Sequence, residues 1–294
     1  MSDRRELTID DRRIAVSNPD KVLYPDDGLT KSYLVDHYRR IADVMLPHLR
    51  GRPLTLRRFP DGIGSDGFFQ KEASDFFPDW IDVAKVTRRD GGSPVHHAVC
   101  DDEASLVYLA SLATVEFHVW LSTVDALDNP DRMVVDIDPP DGAEVSELRH
   151  VARRIRRAVE WLGLTAFVQA TGGRGFHVVT PLDASADYDD VRQLARDVTE
   201  RIAAADPDRL TTAIRKEARH GRIFLDINRN GYGQTFVAPY SLRARPGAAV
   251  ATPLDWRELG KAKPHGYDTR RIRRRLSQRA DPWRRIADHA AAPA

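Results

Sequence analysis

The order of strand and helix patterns between residues 132 and 228 constrains the fold of this chain more than any other feature. The strand patterns are RMVVDID (132–138), TAFVQAT (165–171), FHVVTPL (176–182) and RIFLDIN (222–228). Amphipathic helix patterns lie between them, over residues 144–162 and 188–204. The order β-α-β-β-α-β predicts an α+β fold of the ferredoxin-like split type, in which both helices cover one face of an antiparallel sheet. The other face of that sheet is free to carry a site.

Carboxylates stand at matching positions of the first and the last of these strands. Side chains alternate across a strand, so Asp136 and Asp138 of MVVDIDPP (133–140) share one face, and the apolar residues between them face the helices. Asp226 takes the same position in the last strand. In the split unit we do not expect these two strands to be direct neighbours throughout, but their open faces point the same way. The pattern therefore predicts that the three aspartates converge, and that Pro139 and Pro140 end the first strand.

Three converging carboxylates require something that offsets their charge. Each like-charge pair at about 4 Å costs roughly 4 kcal/mol at an effective dielectric near 20. Oxygen ligands with open coordination positions suit Mg²⁺ or Mn²⁺. Two such ions bridged by carboxylates serve in-line displacement at phosphorus. The pattern thus predicts a two-metal site, and the alternative is that the aspartates are solvated acids at a strand end.

A glycine-rich turn and several cations are suited to a polyphosphate ligand. In TGGRGFH (171–177), three glycines let backbone N–H groups approach an anion, and Thr171 and Arg174 add a hydroxyl and a guanidinium. The turn lacks the Lys-Ser/Thr of a P-loop, and an ordinary hairpin turn is the competing interpretation. The cations that could complete a triphosphate site are Lys216, Arg219, Arg229, Arg243 and Arg245. Each could equally be a surface cation, and His118 in EFHVW could be a core histidine.

The charge distribution is compatible with the same kind of ligand. The net charge is only +1, but residues 101–147 hold 12 Asp and Glu and one Arg. Residues 243–285 hold 13 Lys and Arg and four Asp and Glu. These blocks indicate either an acidic metal centre with a basic surface for polyphosphate or nucleic acid, or two solvated faces.

Length and residue usage exclude several other classes of protein. The 294 residues suffice for one large domain or two closely packed subdomains. The single cysteine, Cys100, excludes an intrachain disulfide and a cysteine-rich zinc site. No apolar stretch approaches the length of a membrane span, and no secretory signal pattern opens the sequence. We therefore expect a cytoplasmic protein that does not bind membranes.

Outside the split unit the sequence predicts a mixture of short strands and helices. Residues 6–16 favour a hairpin that turns near Asp10-Asp11, and residues 30–49 favour a helix with Thr30 as its N-cap. A polar stretch around GGS, residues 85–100, predicts a loop. A helix over 102–114 and a strand over 116–120 complete this part.

Nine sequence blocks in one order carry a resemblance to a known family. They are SNPDKVLYP (17–25), TKS (30–32), GRPLTLRRFPDG (51–62), GFFQK (67–71), EFHVW (116–120), VVDIDPP, TGGRGFHVVTPL, FLDIN and APYSLRAR. From about Ile14 to Leu259 the chain resembles the polymerase domain of the bacterial ATP-dependent DNA ligases of non-homologous end joining. That domain belongs to the archaeo-eukaryotic primase superfamily.

The resemblance implies a fold and a domain division. The fold is a primase-polymerase fold, with a ferredoxin-like or RRM-like β-α-β-β-α-β catalytic core and an added N-terminal α/β region. It implies a single domain over residues 14–285, consisting of an N-terminal region (14–115), the core (116–260) and a basic C-terminal helix (261–285). Tails would cover residues 1–13 and 286–294.

The resemblance also implies an activity. Members are metal-dependent nucleotidyltransferases that add nucleoside triphosphates, ribonucleotides more readily than deoxyribonucleotides, to DNA 3′ ends at gaps or double-strand breaks. They use two Mn²⁺ or Mg²⁺ ions and release pyrophosphate. The implied partners are 5′-phosphorylated DNA, a DNA ligase and the end-binding protein Ku. The implied location is the bacterial nucleoid.

The family's functional residues carry over by motif. Asp136, Asp138 and Asp226 correspond to metal ligands and catalytic residues. The positions that correspond to triphosphate contacts are Thr171, Arg174, His177, Lys216, Arg219, Arg243 and Arg245, and His118 corresponds to a residue near the nucleotide sugar or the metal. Arg229 is added to the nucleotide contacts because it is a cation that follows the Asp226 strand. Those for the 5′-phosphate are Asn18, Lys21 and Lys31, and those for the template are Arg57, Arg58, Phe68, Phe69 and Lys71. Residues 85–100 correspond to a loop that helps bring two DNA ends together.

Some positions depart from the family pattern. Thr171 stands where relatives carry Ser, and Arg57 and Arg174 stand where some carry Lys, which keeps the charge but changes its geometry. No Lys-x-Asp-Gly motif occurs in this sequence, so we expect no ligase module in it.

Two alternative functions remain open from the sequence. A haloacid-dehalogenase-type phosphatase also uses a D-x-D strand end, but there the motif usually opens a parallel sheet near the N-terminus. A DNA-end bridging module without catalysis would keep the basic surface but would not need all three aspartates. Primer extension with Mn²⁺ separates these alternatives from a polymerase.

Overall fold

The structure is a computed structural model, and it describes residues 4–293. The strands are, in chain order, β1 (Arg4–Ile9), β2 (Arg12–Ser17), β3 (Val22–Tyr24), β4 (Leu29–Thr30), β5 (Leu54–Arg58), β6 (Phe68–Gln70), β7 (Val83–Val86), β8 (Val95–Ala98), β9 (Thr114–Trp120), β10 (Arg132–Asp138), β11 (Phe167–Ala170), β12 (Phe176–Pro181), β13 (Leu210–Thr211), β14 (Ile223–Asp226), β15 (Thr235–Val237) and β16 (Thr252–Leu254). The helices are α1 (Lys31–Arg40), α2 (Ala42–Leu49), α3 (Glu103–Ser111), α4 (Val145–Trp161), α5 (Tyr188–Ala204) and α6 (Thr269–Leu276).

The chain forms two compact units that interleave along the sequence. The first unit consists of the described residues up to Trp120 with residues 237–250 and 268–277. The second unit consists of residues 121–236, 251–267 and the described residues from Gln278 onward. The strand–helix order predicted for residues 132–228 therefore lies within the second unit, and an α+β fold is confirmed.

The sheet of the second unit has the strand order β13-β14-β10-β12-β11-β16. Its four central strands show the ferredoxin-like arrangement, and β10 pairs antiparallel with both β12 and β14. The first and last strands of the split unit are thus direct neighbours. They pair over three residue pairs, from Asp136 opposite Asp226 to Asp138 opposite Phe224, and not along the whole of β10, as was expected. The second crossover returns the chain beside the end of its first strand. Asp136 and Asp226 are directly opposite each other as a result.

The core of the second unit lies under one face of this sheet. Met133, Val135 and Ile137 of β10 are buried in a cluster with the apolar faces of α4 and α5. Their burial leaves the side chains at the alternate positions on the other face, as the alternation predicts. Helix α4 ends in a Schellman motif, in which Leu164 donates to the carbonyl of Val159 across a glycine in the left-handed region.

The first unit contains several small antiparallel sheets and four helices. Strands β1 and β2 form the predicted hairpin, with Asp10 and Asp11 at positive φ in its turn. The segment expected as a tail over residues 1–13 is therefore a strand from Arg4 to Ile9. Strand β5 pairs with β6 on one side and with β9 on the other. This pairing brings Arg57 of β5 beside Phe69 of β6 and Glu116 of β9.

Two predicted elements of the first unit differ from the structure. The helix predicted over 30–49 begins as expected, with the Thr30 side chain accepting from the N–H of Tyr33, but Ile41 separates it into α1 and α2. The loop predicted over 85–100 was wrong, because β7 and β8 pair as a hairpin in which Val86 and Val95 are opposite each other. Its strands have four residues each, too few to give a clear alternation pattern in the sequence.

The C-terminal part also differs in extent. The basic helix expected over 261–285 extends only over α6, whose N-cap is Asp268. Residues 286–289 form a 3-10 helix, and the N–H of Asp183 donates to the carbonyl of Ala291. The other boundaries that the resemblance implies, those of the single domain and of its parts, stay predictions. Within residues 4–293, no helix is long and apolar enough to cross a membrane.

Candidate active site

A row of polar side chains crosses the open face of the sheet in the second unit. Asp226, Asp136 and His177 occupy adjacent positions on β14, β10 and β12. The Nε2 atom of His177 lies 3.5 Å from Oδ1 of Asp136, and Nε of Arg229 lies 3.9 Å from its Oδ2. The side chain of Asp136 is mostly buried, at 19% exposed. Two carboxylates thus share one face at neighbouring positions, with an imidazole and a guanidinium beside Asp136.

Asp138 lies two residues further along β10, on the same face as Asp136, and contacts two arginines. Its Oδ2 is 3.1 Å from Nη1 of Arg219, and its Oδ1 is 3.4 Å from Nη2 of Arg174. Arg174 also donates to Asp141 at 2.7 Å. These ion pairs offset the charge that the third carboxylate brings to the site.

The two arginines line a small polar pocket. Its volume is about 270 Å³, and its lining residues are Asp138, Pro139, Pro140, Asp141, Arg174, Lys216, Arg219, Gly221 and Arg222. Four of these side chains are cationic, and the pocket begins where Pro139 and Pro140 end β10. A cationic pocket at the edge of a carboxylate pair is suited to a polyphosphate group.

Arg219 is held rigidly in this pocket. Its Nε donates to the carbonyl of Ala213 at 3.2 Å, and its Nη2 donates to the carbonyl of Ile214 at 3.0 Å. Its guanidinium carbon lies 3.8 Å from the centre of the Phe224 ring. Arg222, which the sequence did not single out, donates to three backbone carbonyls, of Arg219, Pro207 and Ala218. Arg222 therefore fixes the turn that carries Arg219 and Lys216.

The carboxylates of the site could provide some, but not all, of the ligands that a hard divalent ion needs. Asp226 accepts from the backbone and side-chain amides of Asn228, at 2.8 and 2.7 Å, which orients its carboxylate. Across residues 4–293, no three His, Cys, Asp or Glu side chains are arranged so that they could hold an ion together. Asp136 and Asp226 offer paired carboxylate oxygens, whereas Asp138 is turned toward its arginines. The chemistry of the set suits Mg²⁺ or Mn²⁺, and a third ligand requires Asp138 to exchange its partners.

The glycine-rich turn, predicted to bind phosphate, makes hydrogen bonds within itself and packs against the sheet. The Thr171 hydroxyl donates to the carbonyl of Gly175 and accepts from the N–H of Gly173, and the N–H of Gly172 donates to the carbonyl of Pro264. A Cβ atom on Gly175 would lie 1.8 Å from the carbonyl oxygen of Ile137. The turn therefore lies directly against β10. Of its predicted phosphate ligands, Arg174 is the one whose side chain lines the pocket.

Asn230 is a structural residue of this site that the sequence did not reveal. Its Oδ1 accepts from the N–H of Val134 at 2.8 Å, and its Nδ2 donates to the carbonyl of Val134 at 2.7 Å. The side chain is buried and acts as an extra residue of the ladder beside β10, beyond the end of β14. It holds the segment that carries Arg229 next to Asp136. An asparagine four residues after the end of β14 gives no sequence signal for such a contact.

In the first unit, the residues expected at a 5′-phosphate lie close together around α1. Lys31 Nζ is 3.4 Å from the hydroxyl of Ser17, and Lys21 pairs with Asp61 at 2.6 Å. Burial, with the nearby charges of Lys21 and Arg58, lowers the pKa of the Lys31 ammonium. Burial is the larger cause of this shift, and the charges of Lys21 and Arg58 add to it, so three cationic side chains lie close enough to affect one another here.

The residues expected to meet the template lie on β5, on β6 and just after it. Arg57 and Phe69 are opposite each other, as are Arg58 and Phe68. The guanidinium carbons lie 5.3 and 5.4 Å from the respective ring centres. Phe68 and Phe69 are 46% and 58% exposed, and Lys71 is exposed as well. Exposed aromatic rings supported by arginines are suited to stacking with bases.

A buried glutamate connects several of the predicted residues of the first unit. Glu116 of β9 accepts from Arg57 Nη1 at 3.1 Å and from the N–H of Ala244 at 2.9 Å. Its other oxygen lies 2.9 Å from His118 Nε2, and Arg243 Nε is 3.4 Å from the first. Burial by itself raises the pKa of Glu116, but the His118 hydrogen bond and the charge of Arg243 lower the pKa to about 2. His118 is thus in hydrogen-bond contact with a buried carboxylate. The sequence signal for Glu116 was its place two residues before His118 on one strand face.

The antiparallel sheet argues against one of the alternative functions. β10 has antiparallel neighbours on both sides, whereas a haloacid-dehalogenase-type site lies at the end of a parallel sheet. That alternative is therefore not supported.

Comparisons with known proteins give a consistent result. The family model of the LigD primase-polymerase domain matches residues 30–283. A multifunctional non-homologous end joining DNA repair protein LigD of Mycobacterium tuberculosis (strain ATCC 25618 / H37Rv) is 36% identical over 257 residues, which are 85% of this chain and 34% of that protein. The Pseudomonas aeruginosa LigD is 33% identical over 94% of this chain and 33% of its own length. The chain thus spans about one third of these relatives.

A solved structure matches this chain along nearly its full length. The polymerase domain from Mycobacterium tuberculosis ligase D in complex with DNA superposes with a TM-score of 0.87 at 32% sequence identity. The match covers 95% of this chain and 99% of that one. The similarity therefore extends to the fold as well as to the sequence.

Proposed function

The chain belongs to the LigD primase-polymerase domain family, a family of nucleotidyltransferases, and from this we propose that it extends DNA 3′ ends with nucleoside triphosphates. The reaction releases pyrophosphate and is directed by a template. The observation that carries the proposal is the pairing of Asp136 and Asp226 on the open sheet face, next to the cationic pocket that begins at Asp138. A DNA-end bridging module without catalysis would not need this arrangement.

The carboxylates are the proposed ligands of the metal ions. Asp136 and Asp226 would hold them, and Asp138 would join after exchanging its arginine partners. Two bound Mg²⁺ or Mn²⁺ ions supply Lewis acidity to the 3′-hydroxyl and charge neutralisation to the triphosphate. Asn228 donates to the Asp226 carboxylate and orients it. Asn230 donates to the carbonyl of Val134 and holds the segment after β14 beside β10.

Cations of the pocket are the proposed ligands of the triphosphate. Arg174, Lys216 and Arg219 line one pocket of about 270 Å³, and phosphate oxygens would replace the Asp138 carboxylate as the partners of the two arginines. Guanidinium groups bind phosphate in a bidentate fashion and offset the charge that develops on pyrophosphate. Thr171 and His177 support the turn and the strand beside this pocket, and Arg229 lies beside Asp136. We assign His118, Arg243 and Arg245 of the first unit to nucleotide binding as well.

The proposed nucleic-acid ligand is DNA with a gap or a broken end. A relative with the same fold is known in complex with DNA, which supports this ligand. Asn18, Lys21 and Lys31 would bind the downstream 5′-phosphate, while Phe68 and Phe69 would stack on the template with help from Arg57, Arg58 and Lys71. The hairpin of β7 and β8 would assist in bringing two ends together.

The relatives' names assign those proteins to non-homologous end joining, which supports our proposal of the same pathway for this chain. Filling of a gap must be followed by sealing, so a DNA ligase is the expected partner. Ku is the expected protein at the ends, and the bacterial nucleoid is the expected location.

A primer-extension assay on gapped DNA with Mn²⁺ tests this function. We expect addition to the primer strand with release of pyrophosphate, and a higher kcat/KM for a ribonucleotide than for its deoxy partner. Absence of extension with binding retained would favour the end-bridging alternative. A strong preference for the deoxyribonucleotide would contradict the sugar preference but leave the polymerase assignment in place.

The 5′-phosphate pocket gives a separate prediction. Joint replacement of Lys21 and Lys31 by alanine should remove the preference for a phosphorylated downstream end, because the two cations belong to adjoining segments, in which the N–H of Lys31 donates to the carbonyl of Lys21 at 2.8 Å, and their charges together would attract the phosphate. Affinity should be compared for gaps with a 5′-phosphate and with a 5′-hydroxyl, at one salt concentration. Lys263→Ala, an exposed cation of the second unit, is the matched control. An unchanged preference in the double variant would show that the phosphate binds elsewhere.

A further inference from the structure

The buried Glu116 cluster brings together residues that the proposed function assigns to two different ligands. Arg57 and Phe69 are assigned to the template, and His118 and Arg243 to the nucleotide. Glu116 contacts Arg57, His118 and Arg243 directly, and its side chain is only 2% exposed. The ring of Phe69 lies 5.6 Å from that of His118 and 5.3 Å from the guanidinium carbon of Arg57. The Glu116 carboxylate thus holds Arg57 and His118, and both of these side chains pack against the ring of Phe69.

We propose that Glu116 is a positioning residue, which fixes the tautomer of His118 and the orientation of Arg57 and Arg243 so that template and nucleotide contacts form together. This inference rests on the proposed function, because it concerns the residues that we assign to DNA and nucleotide. Glu116 itself touches neither ligand in the proposal. Its effect passes through the side chains that it holds.

The geometry of the carboxylate determines the tautomer. Oε1 accepts from Arg57 and from the N–H of Ala244, and it also lies beside Arg243. Oε2 has His118 as its partner. An ionised carboxylate can only accept, so His118 must carry a proton on Nε2. The two oxygens therefore have different tasks, and Oε2 is the one that orients the imidazole.

Replacement of this carboxylate by an amide separates the two tasks. In Glu116→Gln, the amide oxygen is expected to take the Oε1 position, because the donors there include the backbone N–H of Ala244 and the Arg57 guanidinium. The amide NH₂ then faces His118 and donates to it. Nε2 becomes an acceptor, and the proton of the neutral ring moves to Nδ1.

Nitrogen NMR of the His118 ring tests this directly. We expect an Nε2-protonated ring in the unaltered protein and an Nδ1-protonated ring in Glu116→Gln at a pH where the ring is neutral. The kcat/KM for nucleotide addition should fall by about tenfold or more, chiefly through KM, because the contact residues are retained but less well oriented. Glu116→Asp, which keeps two acceptors on a shorter side chain, should recover part of the loss.

The control is a second His–Glu pair of the same unit. His96 Nδ1 lies 3.0 Å from Oε1 of Glu72 in an exposed pair, and the proposal gives this pair no part in nucleotide positioning. Glu72→Gln should leave kcat/KM and the His118 tautomer unchanged. An Nδ1-protonated His118 in the unaltered protein would overturn the proposal, even if Glu116→Gln did not fold. So would an unchanged tautomer and kcat/KM in a folded Glu116→Gln. Failure of the unaltered protein to extend primers would instead refute the proposed function, while the NMR result would still test the contact.

Discussion

Replacement of Asp136 by alanine should reduce nucleotide addition by roughly 10³-fold or more, as expected for a residue that acts as part of a catalytic unit. Asp136 lies opposite Asp226 on the open face and contacts His177, so its loss removes the centre of the proposed metal site. Asp138→Ala should have a similar effect. Binding to a 5′-phosphorylated gap should be largely retained, because the proposed phosphate ligands lie in the other unit. Single-turnover extension and DNA binding should be measured on the same samples.

A matched control separates the loss of a ligand from the loss of any acidic side chain. Asp208 is an exposed residue of the same unit, in the segment between α5 and β13. Asp208→Ala should extend primers at the unaltered rate. Extension by Asp136→Ala or Asp138→Ala at a near-normal rate would refute the proposed metal site.

Replacement of Gly175 by alanine should destabilise the second unit by roughly 4 kcal/mol or more. The added Cβ would lie 1.8 Å from the carbonyl oxygen of Ile137, which is a backbone atom of β10 and cannot move away without opening the sheet. The pairing of Ile137 with Phe176 lies directly beside this contact. Urea unfolding should show a lower midpoint with an unchanged m-value.

A second glycine distinguishes this close contact from ordinary backbone strain. Gly163 has φ +77° at the end of α4, and an added Cβ there would have no atom within 4 Å. Gly163→Ala should therefore cost only about 1 kcal/mol, from the left-handed conformation alone. Equal losses for the two variants would contradict the close packing of the turn on β10.

Much of the second unit follows from local patterns. Strand β10 and helix α5 have the predicted bounds, and β14 and helix α4 differ by only a few residues at their ends. Alternation correctly placed Asp136, Asp138 and Asp226 on one face, because the period of a strand does not depend on its neighbours. Alternation does not specify which strands are neighbours. The direct pairing of Asp136 with Asp226 depends on the path of the chain through α5, which the pattern of either strand does not contain.

The groups that hold the site were less accessible to sequence reasoning. Asn230 acts as a ladder residue for Val134, 96 positions away in the chain. Glu116 joins Arg57, 59 positions before it, to Ala244, 128 positions after it. Polar residues of this kind have no periodic signal, since their burial is possible only when distant segments supply their hydrogen-bond partners.

The sequence by itself determined the alternation of core and polar faces, the order of strands and helices in the second unit, and the set of aspartates and cations that marks the family. These properties depend on spacing over a few residues or on a shared pattern of motifs. The tertiary structure decided that Asp138 pairs with Arg174 and Arg219, and that Glu116 holds its three partners. Such contacts join distant segments, and a buried charge is stable only where the folded chain brings counter-charges and donors to it.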